Sequence, residues 1–177
     1  MPNWCMNELE IRGPEIDVLS FMNKLKSVKE GEIAIFAALI PMPKEYSQEP
    51  ANFNQNKDTW SDNEKLCYEK YGHKDWYSWC NHYWGVKWDA SDVQVLNESY
   101  SKETNITLAY STPWGPGSEQ LAEALCEYEN LSFHLYYEES GMCFHGALTV
   151  VEGEVVYEDQ AEMTNIHKSL DDSLEYL

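Results

Sequence analysis

Apolar and polar residues alternate in several short stretches of the chain, and this period of two predicts the strands of a half-buried sheet. In the first stretch Leu9 and Ile11 mark the buried face, and the strand ends at Gly13. The dipeptide Glu152–Gly153 predicts a hairpin turn between the last two strands. The later predicted strands lie within residues 92–101, 104–112, 131–140, 142–153 and 154–160.

Other stretches have apolar residues three and four positions apart, which predicts helices. Residues 14–28 form one of these, with Ile16, Leu19, Met22 and, partly, Val18 and Leu25 on the apolar stripe. A second follows Ser118, which is a favourable N-cap. The pattern is also helical from Ser61 or Asp62 to Trp84, and Gly72 divides it into two short helices. Residues 33–43 are compatible with a strand or a buried loop, and the polar residues 44–63 predict a surface loop.

The order of these elements predicts an α+β fold of the ferredoxin-like type, a split β-α-β arrangement. Two helices cover one face of its antiparallel sheet, and an extra hairpin follows at the C-terminal end. We expect residues 1–160 to form a single domain that carries a helical, tryptophan-rich insertion at about 33–88. Residues 161–177 form an acidic tail with weak helical periodicity.

The insertion contains the stretch "DWYSWCNHYWGVKWDA", residues 75–90. On a helix, positions i, i+3, i+4, i+7 and i+8 fall on one stripe. We therefore expect this stripe to face the core rather than to form a ligand cage, with Gly85 ending the helix. Its members are Trp76, Trp79, Cys80, Tyr83 and Trp84.

Several motifs together resemble the YubB / Api92-like family of small proteins, which phages, plasmids and other mobile elements carry. They are "MPNWCMNELEIRGP", "ALIPMP", "WYSWCNHYWGVKWDA", "AYSTPWGPG" and "YYEESGMCFHGALTVVEGEV". The resemblance covers about residues 1–157 and implies a ferredoxin-like fold in a mobile-element setting. It implies no catalytic residue. The chain departs from the family at residues 113–116, Pro-Trp-Gly-Pro instead of a Trp-Ser-Pro-Pro series, and after Gln160.

Charge is distributed very unevenly along the chain. There are 31 acidic and 12 basic residues, for a net charge of −19, and Lys168 is the only base after residue 102. Direct binding to nucleic acid requires clustered Lys or Arg and is therefore disfavoured. The acids either keep the protein soluble or attract a basic protein partner. The candidate partner-binding residues are Glu119, Glu123, Glu127, Glu129, Glu138, Glu139, Glu152, Glu154, Glu158 and Asp159.

Candidate chemistry is sparse elsewhere. The spacing of Cys67, His73, Cys80 and His82 is poor for zinc, and no cofactor motif is present, so we expect neither a metal nor a cofactor. Cys143 and His145 lie two apart on a predicted strand and would share a face. With His134 on the preceding strand, they form the candidate nucleophile and base of a small enzyme.

The sequence thus favours a non-enzymatic, acidic interaction protein of a mobile element. The most specific version of this hypothesis is that the protein inhibits a host defence protein, such as a restriction or CRISPR complex, by DNA mimicry. The alternatives are an enzyme that uses Cys143 and His145, and an acidic accessory domain with an unknown partner. Because there is no signal-peptide pattern, no apolar run long enough to span a membrane and no CxxC pair, we expect the host cytoplasm. The oligomeric state stays open.

Overall fold

The computed structural model describes residues 3–28, 30–46, 51, 53–99 and 104–162. Six strands in these residues form one antiparallel sheet in the order β2-β3-β1-β4-β5-β6. The strands are β1 (Trp4–Gly13), β2 (Ser91–Ser99), β3 (Thr104–Pro113), β4 (Ser132–Glu139), β5 (Phe144–Val151) and β6 (Glu154–Glu162). The helices are α1 (Glu15–Lys26), α2 (Phe36–Leu39), α3 (Asp62–Tyr71), α4 (Trp76–Tyr83) and α5 (Ser118–Leu125).

Helices α1 and α5 cover one face of the sheet, as the ferredoxin-like prediction requires. The alternation in β1 puts Leu9 and Ile11 at 0% exposure on this helix-covered face. Helix α5 buries Leu121 and Leu125 against it. Strands β5 and β6 extend the sheet beyond β4, so the predicted extra hairpin is confirmed. We call the opposite face of the sheet the far face; it carries alternate residues such as Glu10 and His134, which are paired in the register.

Two local predictions are wrong. In α1, Ile16 and Leu19 are 77% and 38% exposed, contrary to the prediction, whereas Met22, Val18 and Leu25 are buried as predicted, together with Phe21. Both stripes of this helix carry apolar residues, so periodicity alone did not select the buried one. Within 33–43, residues Phe36–Leu39 form the short helix α2 rather than a strand or a loop. A carboxylate distant in sequence begins this helix, because Asp89 accepts hydrogen bonds from the N–H groups of Phe36 and Ala37 at 2.8 and 3.1 Å.

The two helices that surround Gly72 form as predicted. Ser61 begins α3 with a reciprocal capping box, in which its hydroxyl and the carboxylate of Glu64 each accept a backbone N–H. Gly72 ends α3 with a φ of 77°. Asp75 then begins α4 by accepting the N–H of Ser78 at 2.8 Å.

The tryptophan-rich stripe on α4 is chiefly a packing element. Trp79, Cys80 and Trp84 are 4%, 2% and 5% exposed, which confirms that this stripe faces the core. The Trp84 indole N–H donates to the carbonyl oxygen of Ile40 at 2.8 Å and fastens α4 to the end of α2. Tyr83, at 39% exposed, lies outside the core, contrary to the prediction.

The predicted tail begins later than expected, because β6 continues through Glu162. Residues 163–177, to which the helical tail prediction applies, lie outside the described residues. No helix in the described ranges combines the length and apolar character that crossing a bilayer requires.

Candidate functional site

Helix α5 runs alongside the outer strands of the sheet. At its start, Ser118 lies close to the hydroxyl of Tyr137, which donates to Oε1 of Gln160 on β6 at 3.4 Å. Just beyond its end, the carbonyl oxygen of Cys126 lies 2.9 Å from the position that a Cβ would take at Gly153. The helix and β6 are therefore antiparallel neighbours, and acidic residues from both contribute to one side of the molecule.

Seven of the ten candidate acids are exposed along this side, which we call the acidic surface. Their proximity is evident at Cys126, whose thiol pKa is raised by burial and then by the nearby carboxylates of Glu154 and Glu123. Among the described residues none of the seven forms an ion pair. The acidic surface consists of Glu119, Glu123, Glu127, Glu129, Glu152, Glu154 and Glu158.

A lysine lies close to the acidic surface without neutralising it. Nζ of Lys24 on α1 donates to the hydroxyl of Tyr128 at 2.7 Å and lies 5.3 Å from the centre of that ring. Tyr128 stands between Glu127 and Glu129 in the chain, yet the ammonium group pairs with neither carboxylate. From residue 103 to residue 162 the chain has no lysine or arginine at all.

The remaining three candidate acids lie elsewhere. Glu138 and Asp159 belong to the far face by their register with His145 and Ala147. Glu139 is only 2% exposed, and its carboxylate accepts the N–H groups of Gly141 and Met142 in the β4–β5 loop. The prediction that Glu139 is a surface residue is therefore wrong. Its buried carboxylate is occupied by the loop and is not accessible to a partner.

A cleft of about 660 Å³ adjoins the acidic surface at the end of β1. Its floor is on the far face and includes Glu10, Arg12 and His134, while Glu129 and Glu152 come from the α5–β4 loop and the β5–β6 turn. Gly13 permits the loop to approach, because a Cβ there would fall 2.8 Å from the carbonyl oxygen of Asn130. Local sequence patterns do not predict this cleft, because its walls come from segments more than a hundred residues apart.

The polar side chains of the cleft floor are bonded to neighbouring side chains. Arg12, the only arginine, is 2.9 Å from Oε1 of Glu10, and Asn105 donates to the same oxygen. Nδ1 of His134 is 2.9 Å from the hydroxyl oxygen of Thr149. Burial lowers the pKa of His134, opposed by Glu10 and assisted by Arg12, so the imidazole is uncharged at neutral pH. The cleft therefore has three carboxylates and a single cationic group.

The candidate nucleophile and base do not share a strand. Cys143 lies in the β4–β5 loop with a φ of 57°, and its thiol donates to the carbonyl oxygen of Ser140 at 3.4 Å. His145 is on β5 at 0% exposure. The prediction that these two residues lie on one strand face is wrong, because β5 begins only at Phe144.

The four Cys and His residues whose spacing is poor for zinc do not come together at one place. His73 and His82 stack with ring centres 4.6 Å apart, whereas Cys67 and Cys80 are buried. Among the described residues, no three His, Cys, Asp or Glu side chains are grouped so that they could hold a metal ion.

Comparison with known proteins connects this architecture to a family. Residues 83–175 match the family model of the ferredoxin-like domain in Api92-like protein. The crystal structure of a protein api92 from Yersinia pseudotuberculosis is similar, with a TM-score of 0.56 and 11% identity over 92% of this chain and 98% of that chain. At this identity the likeness concerns the fold alone. No curated protein matches the chain in sequence.

Proposed function

This chain belongs to the Api92-like family, and we propose that it acts there as a non-enzymatic protein that binds a basic partner through its acidic surface. The observation that carries the proposal is a set of seven exposed carboxylates on adjoining elements with no paired cation. Unpaired charges of one sign on a firm framework attract an oppositely charged surface and accelerate association with it.

The framework of the acidic surface is rigid where it matters for recognition. Glu119 and Glu123 lie one helical turn apart on α5, whose Leu121 and Leu125 are fully buried. Glu154 and Glu158 lie on β6, which is paired with β5 on either side of one register shift between Thr149 and Val150. Because the backbone that carries these carboxylates is already held in place, a partner need not order it on binding, and more of the interaction energy remains as affinity.

The proposed partner is a basic protein of the host cell cytoplasm that normally binds nucleic acid. Such a protein already presents clustered Lys and Arg for phosphates, and an array of carboxylates competes for the same groups. In this form the protein is a DNA mimic carried by a phage or plasmid, and it inhibits a restriction or CRISPR complex. An enzyme that uses Cys143 and His145 has less support, because Cys143 is directed to Ser140 in a loop.

The test is affinity capture from lysate of the host cell, with neutralised variants compared side by side. One variant removes three charges from the acidic surface by Glu119→Gln, Glu123→Gln and Glu158→Gln. The matched control removes three exposed acids elsewhere by Glu30→Gln, Asp58→Asn and Glu69→Gln. The unaltered protein and the control should retain the same basic, nucleic-acid-binding protein, and the surface variant should lose it.

Competition with duplex DNA distinguishes mimicry from a general affinity for basic proteins. If the acidic surface imitates DNA, added duplex displaces the captured partner at low salt. If the partner is retained despite excess duplex, the DNA-mimic hypothesis is contradicted. The broader proposal, that the acidic surface binds a basic protein, then still stands. Equal capture by the surface variant and the control contradicts the proposed function itself, as does capture of proteins that are not basic.

A further inference from the structure

The cleft beside the acidic surface is a concave site lined by acidic side chains, an arginine and a histidine. Its volume of about 660 Å³ lies within the range of roughly 300–1,000 Å³ that is usual for ligand sites. An ion pair, Arg12 with Glu10, and a hydrogen-bonded pair, His134 with Thr149, fix its floor. Because these floor side chains are already oriented, a ligand need not order them.

The charge of the cleft selects a cation. Glu10, Glu129 and Glu152 line it together with Arg12, and Arg12 is already engaged by Oε1 of Glu10. The two remaining carboxylates have no cation among the described residues. The turn that carries Glu152 packs against the loop that carries Glu129, because a Cβ at Gly153 would lie only 3.1 Å from Cγ of Glu129.

We propose that this cleft binds an arginine side chain that the basic partner presents. The inference rests on the proposed function and names the anchor point within it, since Glu129 and Glu152 belong to both the cleft and the acidic surface. A guanidinium donates several N–H bonds in one plane, so it can serve carboxylates on two neighbouring segments at once. It also stacks on aromatic faces, and the uncharged imidazole of His134 supplies such a face without repelling it.

The probes are three blocked tripeptides, Gly-Arg-Gly, Gly-Lys-Gly and Gly-citrulline-Gly, added to the complete chain in low-salt buffer. Citrulline keeps the shape of arginine but has no charge. The readout is the NMR signals of the His134 ring, assigned by their absence in His134→Asn. The arginine peptide should shift these signals to saturation, the lysine peptide should bind several-fold more weakly, and the citrulline peptide should leave them unchanged.

Two double variants with the same change in net charge test the location. Glu129→Gln with Glu152→Gln should raise the dissociation constant of the arginine peptide about tenfold, as expected for the loss of two charge-assisted contacts. Glu119→Gln with Glu158→Gln, outside the cleft, should raise it less than about threefold because only longer-range, screened attraction is lost. All four residues are exposed, and thermal unfolding of each variant checks that the fold is retained.

Several outcomes would overturn the proposal: unmoved His134 signals with the arginine peptide, equal shifts with citrulline, or equal weakening by both double variants. The capture experiment separates this failure from failure of the proposed function. If Glu129→Gln with Glu152→Gln leaves partner capture intact while the variant of the acidic surface abolishes it, only the arginine site is rejected. If no basic partner is captured but the arginine peptide still shifts His134, the proposed function fails and the guanidinium site stands.

Discussion

Gly153 lies directly against Glu129, because a Cβ at Gly153 would fall 3.1 Å from Cγ of Glu129. Glu152 and Gly153 form the turn between β5 and β6, with φ angles of 52° and 77°. Glu129 lies in the loop between α5 and β4. This contact joins two segments that lie apart in the chain, and Glu129 and Glu152 both line one cleft.

Replacing Gly153 by alanine should lower the free energy of unfolding by about 2–3 kcal/mol, because strain at positive φ adds to a steric clash. The added Cβ would meet the carbonyl oxygen of Cys126 at 2.9 Å. Gly72→Ala is the matched control, since Gly72 has the same φ of 77° but nothing within 4 Å of its Cβ position. Urea denaturation should show a loss of only about 1 kcal/mol for the control. Equal losses would show that the turn does not press against the loop.

Asp89→Ala should destabilise the fold by about 1.5–3 kcal/mol, the range for charge-assisted hydrogen bonds. Its carboxylate accepts the N–H groups of Phe36, Ala37 and Ala90, and these donors would be left without their acceptor. The loss should appear in chemical denaturation. Glu69→Ala, at an exposed position on α3, should change stability by less than about 0.5 kcal/mol. A neutral Asp89→Ala would contradict its role in holding α2.

Trp79→Ala should cost about 3–5 kcal/mol, as expected when a large buried aromatic side chain is deleted. Trp79 is 4% exposed and its ring centre lies 4.8 and 5.7 Å from those of Tyr83 and Trp84. Trp88 is 39% exposed, so Trp88→Ala should cost clearly less. Thermal unfolding compares the two. A larger loss for Trp88 would mean that the tryptophan stripe of α4 is not the packed one.

Glu139→Ala should lower stability by about 1–3 kcal/mol, because the N–H groups of Gly141 and Met142 lose a buried acceptor. Glu138→Ala removes the same charge from the neighbouring position on the far face and should have a smaller effect. Denaturation of both variants provides the comparison. If Glu139→Ala reduced partner capture while stability stayed unchanged, Glu139 would belong to the binding surface after all.

His134 should make the protein less stable in mild acid. Burial lowers its pKa in the folded state below the ordinary value of 6.5, so the unfolded chain binds the proton more readily. Stability from the neutral imidazole is therefore fully present above the unfolded pKa and decreases as pH falls through 6.5 towards the folded pKa. The stability advantage of the unaltered protein over His134→Asn should shrink as pH falls from about 8 to about 5. An advantage that is constant with pH would contradict a lowered pKa.

Much of the fold could be predicted because its signals are local. The alternation through Leu9 and Ile11 depends only on the two-residue period of a strand. The capping box of Ser61 and Glu64 and the left-handed end at Gly72 involve neighbours in the chain. Most of the acidic surface was predicted because charge was counted directly, although the sequence did not reveal that α5 and β6 present it together.

The cleft, the burial of Glu139 and the choice of the buried face of α1 depend on contacts that local sequence patterns do not encode. Glu139 is an ordinary strand carboxylate in sequence, and only the fold of the β4–β5 loop turns it inward. In α1, two apolar stripes compete, and the sheet beneath decides that Phe21 rather than Ile16 is buried.

The sequence alone determined the period of most strands and helices, the ends of α3 and the one-sided charge of the second half of the chain. The tertiary structure decided which carboxylates meet Arg12 and His134 in a cleft, and it placed Cys143 in the β4–β5 loop instead of on β5 with His145. The physical reason is range: periodicity and capping act over a few residues. Strand pairing and side-chain packing bring together groups, such as Glu10 and Glu152, whose proximity no local interaction specifies.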